Sequence, residues 1–237
     1  MGPVTTAELH PALLDLTEDE AIELACASHL GVWSERRIGL DLAPVHWEWC
    51  ELAMTWSRGC VIAPREHAKT TTFAVNTTVW ESLYTPGLWT YIFSATMEQA
   101  QGILAQIKAT MELVAPYMVH TAFADNMREI EFANGAKVTV AGAGKAVRGA
   151  HPDRIVGDDV LEEDSCMSEL GRRRTHRWWF GSIGGMAHPG TVRKVRTRWW
   201  DERQAIQLPP TRVMLVGTPF HERDLLNSMR TNPLSAA

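Results

Sequence analysis

Cysteine is scarce in this chain. Of 237 residues only Cys26, Cys50, Cys60 and Cys166 are cysteines, widely spaced and never in a CxxC pair. Such thiols read as reduced ones in a cytosolic protein, and no zinc site is expected from them. Long apolar runs are also missing: none approaches the roughly 20 residues of a membrane-spanning helix. The first residues hold no basic segment followed by an apolar one, so no secretory signal is read there. Internal repeats and low-complexity tracts are absent, which leaves out solenoid and collagen-like chains. Positive charge is in deficit, with 23 Lys+Arg against 28 Asp+Glu and a formal charge of −5. Bulk charge therefore argues against a protein that coats nucleic acid, while a local basic face stays open.

What is present is globular. The chain is 45% hydrophobic and 22% charged, and its length suffices for one sizeable core. Residues 5–57 read as helical. Thr17 with Glu20 forms a capping-box start, and Pro44 opens a second helix running to about Trp56. The pattern changes at Gly59, giving a segment 1–58 and a core 59–237. Cys60–Ala63 is a short apolar strand. A helix follows from Lys69 to about Leu83, then a buried strand at Leu88–Phe93 and a helix at Met97–Val114. Residues Arg128–Ala141 alternate around Asn134-Gly135, a hairpin signal. Further strands fall at Ile155–Gly157 and Arg212–Gly217, with a last helix near Arg223–Met229. Strands separated by helices predict an α/β domain with a largely parallel sheet. Ligands of such sheets bind beyond the carboxyl ends of the strands.

Three of those strands end in polar sequences. After the first comes Pro64-Arg65-Glu66-His67-Ala68-Lys69-Thr70-Thr71. This is a departure from GxxxxGK[ST], with Ala63 and Ala68 at the glycine positions. An apolar strand before it and a helix after it supply the frame of a phosphate cradle. Lys69 would meet the β- and γ-phosphates, and the Thr70 hydroxyl would meet Mg²⁺. The strand at Ile155 ends in Asp158-Asp159. Asp158 is expected to hold the metal. The base that activates water is either Asp159 or Glu162, one helical turn further on.

With these residues in view, the sequence resembles the ATPase domain of viral, tailed-bacteriophage terminase large subunits. Four ordered segments carry the resemblance: Arg65–Thr71; Phe93-Ser94-Ala95-Thr96 with Gln99-Ala100; Arg148-Gly149 with His151-Pro152; and Val216–Leu226. The resemblance implies a P-loop NTPase of the ASCE type whose substrate is ATP with Mg²⁺. It implies translocation of double-stranded DNA into procapsids from a homo-oligomeric ring on the portal protein. A terminase small subunit is the further implied partner, in the host cytoplasm. It also gives roles: Arg65 senses nucleotide, Arg148 reaches a neighbouring subunit's ATP, and Thr218 couples the γ-phosphate to a moving lid. The family's nuclease domain has no counterpart in this sequence, which reads as a split gene with a separate nuclease chain, an interrupted gene or a shortened chain, so nuclease activity is not expected from this chain alone. A helicase-like ATPase and a non-catalytic nucleotide-binding assembly subunit are the alternatives.

Residues 171–203 hold nine Lys/Arg, among them Arg172, Arg173, Arg174 and Arg177, against Asp201 and Glu202. The pairs Trp178-Trp179 and Trp199-Trp200 read as packing residues. The arginines read as contacts to DNA phosphates or to a neighbouring subunit.

Overall fold

Thr17 opens the first helix as its sequence requires. Its side chain accepts from the Glu20 amide while Glu20 bonds back to the Thr17 amide, capping α1 (Glu18–Ser28). The computed structural model describes residues 16–145, 147, 149–195 and 202–231. A short α2 (Leu30–Trp33) and a π-turn (Ser34–Ile38) follow, then α3 (Pro44–Thr55), with proline in its first turn. β1 (Arg58–Ile62) leads through the Ala63–Lys69 loop into a π-helical segment (Thr70–Asn76) that continues as α4 (Thr77–Tyr84). Next come β2 (Trp89–Ser94), α5 (Met97–Val114) and α6 (Pro116–His120). Three strands follow, β3 (Ala124–Asp125), β4 (Glu129–Glu131) and β5 (Lys137–Gly142).

The expected hairpin is β4–β5, antiparallel, with Gly135 at a φ of 78°. Beyond it lie β6 (Arg154–Asp158), α7 (Glu163–Met167), α8 (Glu169–Arg177) and a second π-segment (Trp178–Ile183). The strand pair β7 (Thr191–Val195) and β8 (Gln204–Leu208) precedes β9 (Arg212–Gly217) and α9 (Leu225–Thr231). The β7–β8 pair lies within and just past the stretch read above only as basic surface, and adjacent Arg193 and Lys194 break the alternation that would mark a strand. Trp199 and Trp200 lie outside the described residues.

Seven strands form one sheet in the order β1-β9-β6-β2-β5-β4-β3. It is parallel from β1 through β5 and antiparallel over β4 and β3. Both faces are covered, as a parallel sheet demands. One core joins Leu30, Trp33, Phe73, Ile92, Ile107 and Val156. The other joins Tyr91, Phe93, Ile155, Trp178, Trp179 and Leu215. Alternate residues of β2 and β6 therefore feed opposite layers. Each fully buried large apolar side chain contributes roughly 1.5–3 kcal/mol. Trp178 and Trp179 are core residues, as their packing role predicted.

At the sheet's other end, polar nodes tie the elements together. Arg154 Nη1 donates to Glu81 Oε2 at 2.5 Å and Nη2 donates to Phe73 O at 3.0 Å, inside the π-segment. Arg212 pairs with the second Glu81 oxygen. Asp153, fully buried, accepts from the Trp89 amide at 2.7 Å and from Arg193 of β7 at 2.5 Å, and pairs with His188 at 3.1 Å. The outer side of β1 has no ladder partner among the described residues. A groove of about 750 Å³ runs beside it, lined in part by Trp56, Ile62, Phe180 and Met229.

Candidate nucleotide-binding site

The register dictates what meets at the rim. Ile62 stands opposite Gly217, Asp158 opposite Val216 and Phe93 opposite Gly157. The chain leaving β1, β9, β6 and β2 therefore emerges side by side. Because β9 lies between β1 and β6, Thr218 is placed between the phosphate loop and the acidic strand end.

Arg65, Glu66, His67, Ala68, Lys69, Thr70 and Thr71 all line one cleft of about 1090 Å³, facing Thr96, Asp159 and Glu162. The loop turns sharply without glycine: Glu66 and Ala68 take φ values of 64° and 56°. For residues with a Cβ this left-handed region costs roughly 1–2 kcal/mol each. His67 Nδ1 lies 2.7 Å from the Arg65 carbonyl, which braces the turn.

Lys69 is 5% exposed. Its ammonium donates to Ala63 O at 2.9 Å, Pro64 O at 2.5 Å and Thr218 Oγ1 at 3.1 Å. Those three bonds use all the donors an ammonium has. Thr218 Oγ1 in turn donates to Ala63 O at 3.0 Å, and the Thr218 amide donates to Asp159 Oδ1 at 3.1 Å. Thr218 is thus a link between the loop and the acidic end. The cap of α9 is Asp224, which accepts from the Phe220, His221 and Asn227 amides. Gly217 permits this closeness, since a Cβ there would stand 3.0 Å from Asp159 Oδ1.

Thr70 Oγ1 donates to Asp158 Oδ2 at 2.8 Å. The other Asp158 oxygen is buried without a hydrogen-bond partner. Burial pushes the Asp158 carboxyl up to about 7, against the bond from Thr70; Asp159 adds to the rise and Lys69 opposes it. A buried carboxylate with an unused oxygen beside a hydroxyl is a donor set that suits Mg²⁺. That ion takes one or two carboxylates and completes its shell with water and phosphate oxygens. Among the described residues no cluster of three or more His, Cys, Asp or Glu forms a closed metal cage.

Asp159 has a φ of 43° and Glu162 precedes α7; both line the cleft. On the opposite wall Thr96 and Gln99 form the capping box of α5, a local reason for their spacing. Arg65 stacks over the Phe220 ring at 5.4 Å, an arrangement the sequence did not announce. Arg148 lies outside the described residues.

Strand order, the Ala63–Lys69 loop and the acidic strand end together define the class: an α/β domain with a mostly parallel seven-stranded sheet flanked by helices. Among solved structures the chain is similar to the large terminase ATPase domain of Thermus phage P74-26, with a TM-score of 0.53 and 14% identity. That match covers 78% of this chain and 68% of the other. It is also similar to the HK97 bacteriophage large terminase, with a TM-score of 0.52 and 13% identity, covering 84% of this chain and 39% of that one. No family model matches the sequence, and no curated protein matches it. Among the described residues no helix is long and apolar enough to cross a membrane.

Proposed function

We propose that this chain is the ATPase motor subunit of a phage terminase, hydrolysing ATP to drive double-stranded DNA into a procapsid. The observation that carries the reading is the meeting of Lys69, Thr70, Asp158, Asp159 and Thr218 at one rim, joined by the bonds Thr70–Asp158, Lys69–Thr218 and Thr218–Asp159. The likeness to terminase ATPase domains supports the same fold, and the resemblance supplies the DNA, the portal protein, the small subunit and the ring of like subunits.

ATP would enter along the loop, with its phosphates on the amides at the start of the π-segment. Lys69 exchanges its carbonyl partners for phosphate oxygens. Thr70 and Asp158 would hold Mg²⁺, which neutralises charge on the β- and γ-phosphates when bound. Glu162 is the better base: both carboxylates line the cleft, but Asp159 already accepts from the Thr218 amide. It takes a proton from the attacking water. Arg65 lies beside the same cleft, held by Phe220.

The experiment is steady-state phosphate release from Mg·ATP by the purified chain. Turnover above background that is lost in Lys69→Ala and Asp158→Asn supports the reading. Nucleotide binding with no turnover, in the chain alone and with duplex DNA, would instead favour a non-catalytic assembly subunit. The two alanines at the glycine positions of the loop give that second reading its motive.

A further inference from the structure

Beside the nucleotide cleft lies a second one of about 480 Å³, and the two share Ala95 and Glu162. Its walls come from the ends of β2 and β5, from the stretch after β6, and from α8. It is thus on the ligand-binding side of the sheet. Arg174 and Arg177 of α8 line it, with Gly144 and Ser182 also in the wall.

The arginines of α8 divide by what holds them. Arg172 donates to Cys166 O at 2.6 Å, and Arg173 pairs with Glu169 one turn back at 2.7 Å. Arg193, further along, is spent on Asp153. Arg174 and Arg177 are exposed, and their side chains have no hydrogen-bond or ion-pair partner among the described residues. Three positions apart on one helix, they share a face with Cβ atoms about 5–6 Å apart. Guanidinium groups are weakly hydrated and bind phosphate bidentately, so an unpaired couple lining a cleft is suited to a polyanion. The wall opposite includes Gly144, where an added Cβ would meet nothing within 4 Å. There is room for a backbone to pass.

We infer that Arg174 and Arg177 form a contact for successive phosphates of a nucleic-acid backbone, set against the nucleotide cleft at Glu162. The inference rests on the motor reading for its physiological sense, but its chemistry is independent of ATP. Duplex DNA bound here touches the wall that carries Glu162, so occupancy of one cleft is communicated to the other by contact.

The test measures binding of a fluorescently labelled 30-base-pair duplex by anisotropy across a salt series, without nucleotide. The doubly substituted Arg174→Gln/Arg177→Gln chain is compared with wild type and with Arg173→Gln, whose charge is already matched by Glu169. Each lost phosphate contact flattens the log–log salt slope by about 0.9, so the double variant loses about 1.8 and Arg173→Gln loses little. Binding of a fluorescent ATP analogue to all three chains is followed in parallel. An unchanged slope in the double variant overturns the inference, as does a wild-type chain that binds no duplex. A double variant that changes self-association in sedimentation but not DNA affinity also overturns it and marks a protein interface. Duplex binding that depends on both arginines in a chain that takes no ATP would leave this inference standing and remove the motor reading.

Discussion

Thr218 Oγ1 accepts a hydrogen bond from Lys69 Nζ at 3.1 Å across 149 residues of chain. The lysine cannot hold this bond, two carbonyls and a phosphate together. On the proposed reading the lysine trades its carbonyl partners for phosphate and keeps Thr218, which ties the strand end to the lysine while Asp159 holds the Thr218 amide. In Thr218→Val the hydroxyl that links Lys69 to Ala63 is lost while the rest of the loop stays. ATP analogue affinity is expected to change less than threefold, and turnover to fall roughly 10²-fold from misplaced groups. Paired equilibrium binding and phosphate release measure the two separately.

The choice of base is open to a direct comparison. Glu162→Gln is expected to cost about 10²–10⁴ in turnover, the range for a lost general base. Asp159→Asn keeps an oxygen for the Thr218 amide and should cost under about tenfold. The reverse order, read from single-turnover hydrolysis, would assign the base to Asp159.

Relief of strain in the loop is measurable. Ala68 sits at a φ of 56°, and glycine removes that penalty while adding disorder to the unfolded chain. Ala68→Gly should gain about 0.5–1 kcal/mol net, seen as a melting temperature about 2 °C higher in a domain of this size. Nucleotide affinity should hold or rise.

The buried ion cluster predicts a large loss. Arg154, 2% exposed, answers Glu81 and the Phe73 carbonyl, and Arg212 shares Glu81. Glu81→Gln leaves two guanidinium groups under-compensated. The expected cost is about 3–5 kcal/mol, read as a lower urea midpoint with the slope unchanged.

Thiol chemistry gives a pH test. Burial pushes Cys50, Cys60 and Cys166 up to about 11, and Cys26 is also raised. A raised thiol has less thiolate at any pH below its midpoint, roughly 10⁻³ at pH 8. The native chain should react slowly with iodoacetamide, gaining about tenfold in rate per pH unit from 8 to 10. In urea at pH 8 all four cysteines should react quickly.

Local signals carried most of the fold. α5 was legible from its periodicity, and β9 from its apolar run between Arg212 and Gly217; the capping box of Thr96 and Gln99 emerged only in the structure. The hairpin at Asn134-Gly135 was legible because its turn demands a positive φ. The rim residues of the site were legible because strand ends and short polar motifs adjoin in sequence. What stayed hidden depends on distant partners. Asp153 reads as an ordinary loop acid until β7 brings Arg193 to it, 40 residues on. Glu81 reads as a helix-surface acid until Arg154 and Arg212 close over it. The β7–β8 pair was masked by its polarity, since adjacent Arg193 and Lys194 in β7 and two glutamines in β8 look like a solvated segment. Phe220 acquired meaning only when Arg65 lay across its ring.

The open flank of β1 bears on how the protein behaves in a tube. An edge strand without a ladder partner among the described residues, beside exposed Trp56, Ile62 and Phe180, is sticky in two ways, through backbone amides and through oily side chains. Concentrated stocks should cloud or self-associate sooner than a charge of −5 would lead one to expect. Phe180→Lys would cut the apolar surface of the groove beside β1 without altering a neighbour of Ala63, whose carbonyl Lys69 and Thr218 hold, making it a sensible first change for anyone preparing the chain for crystals.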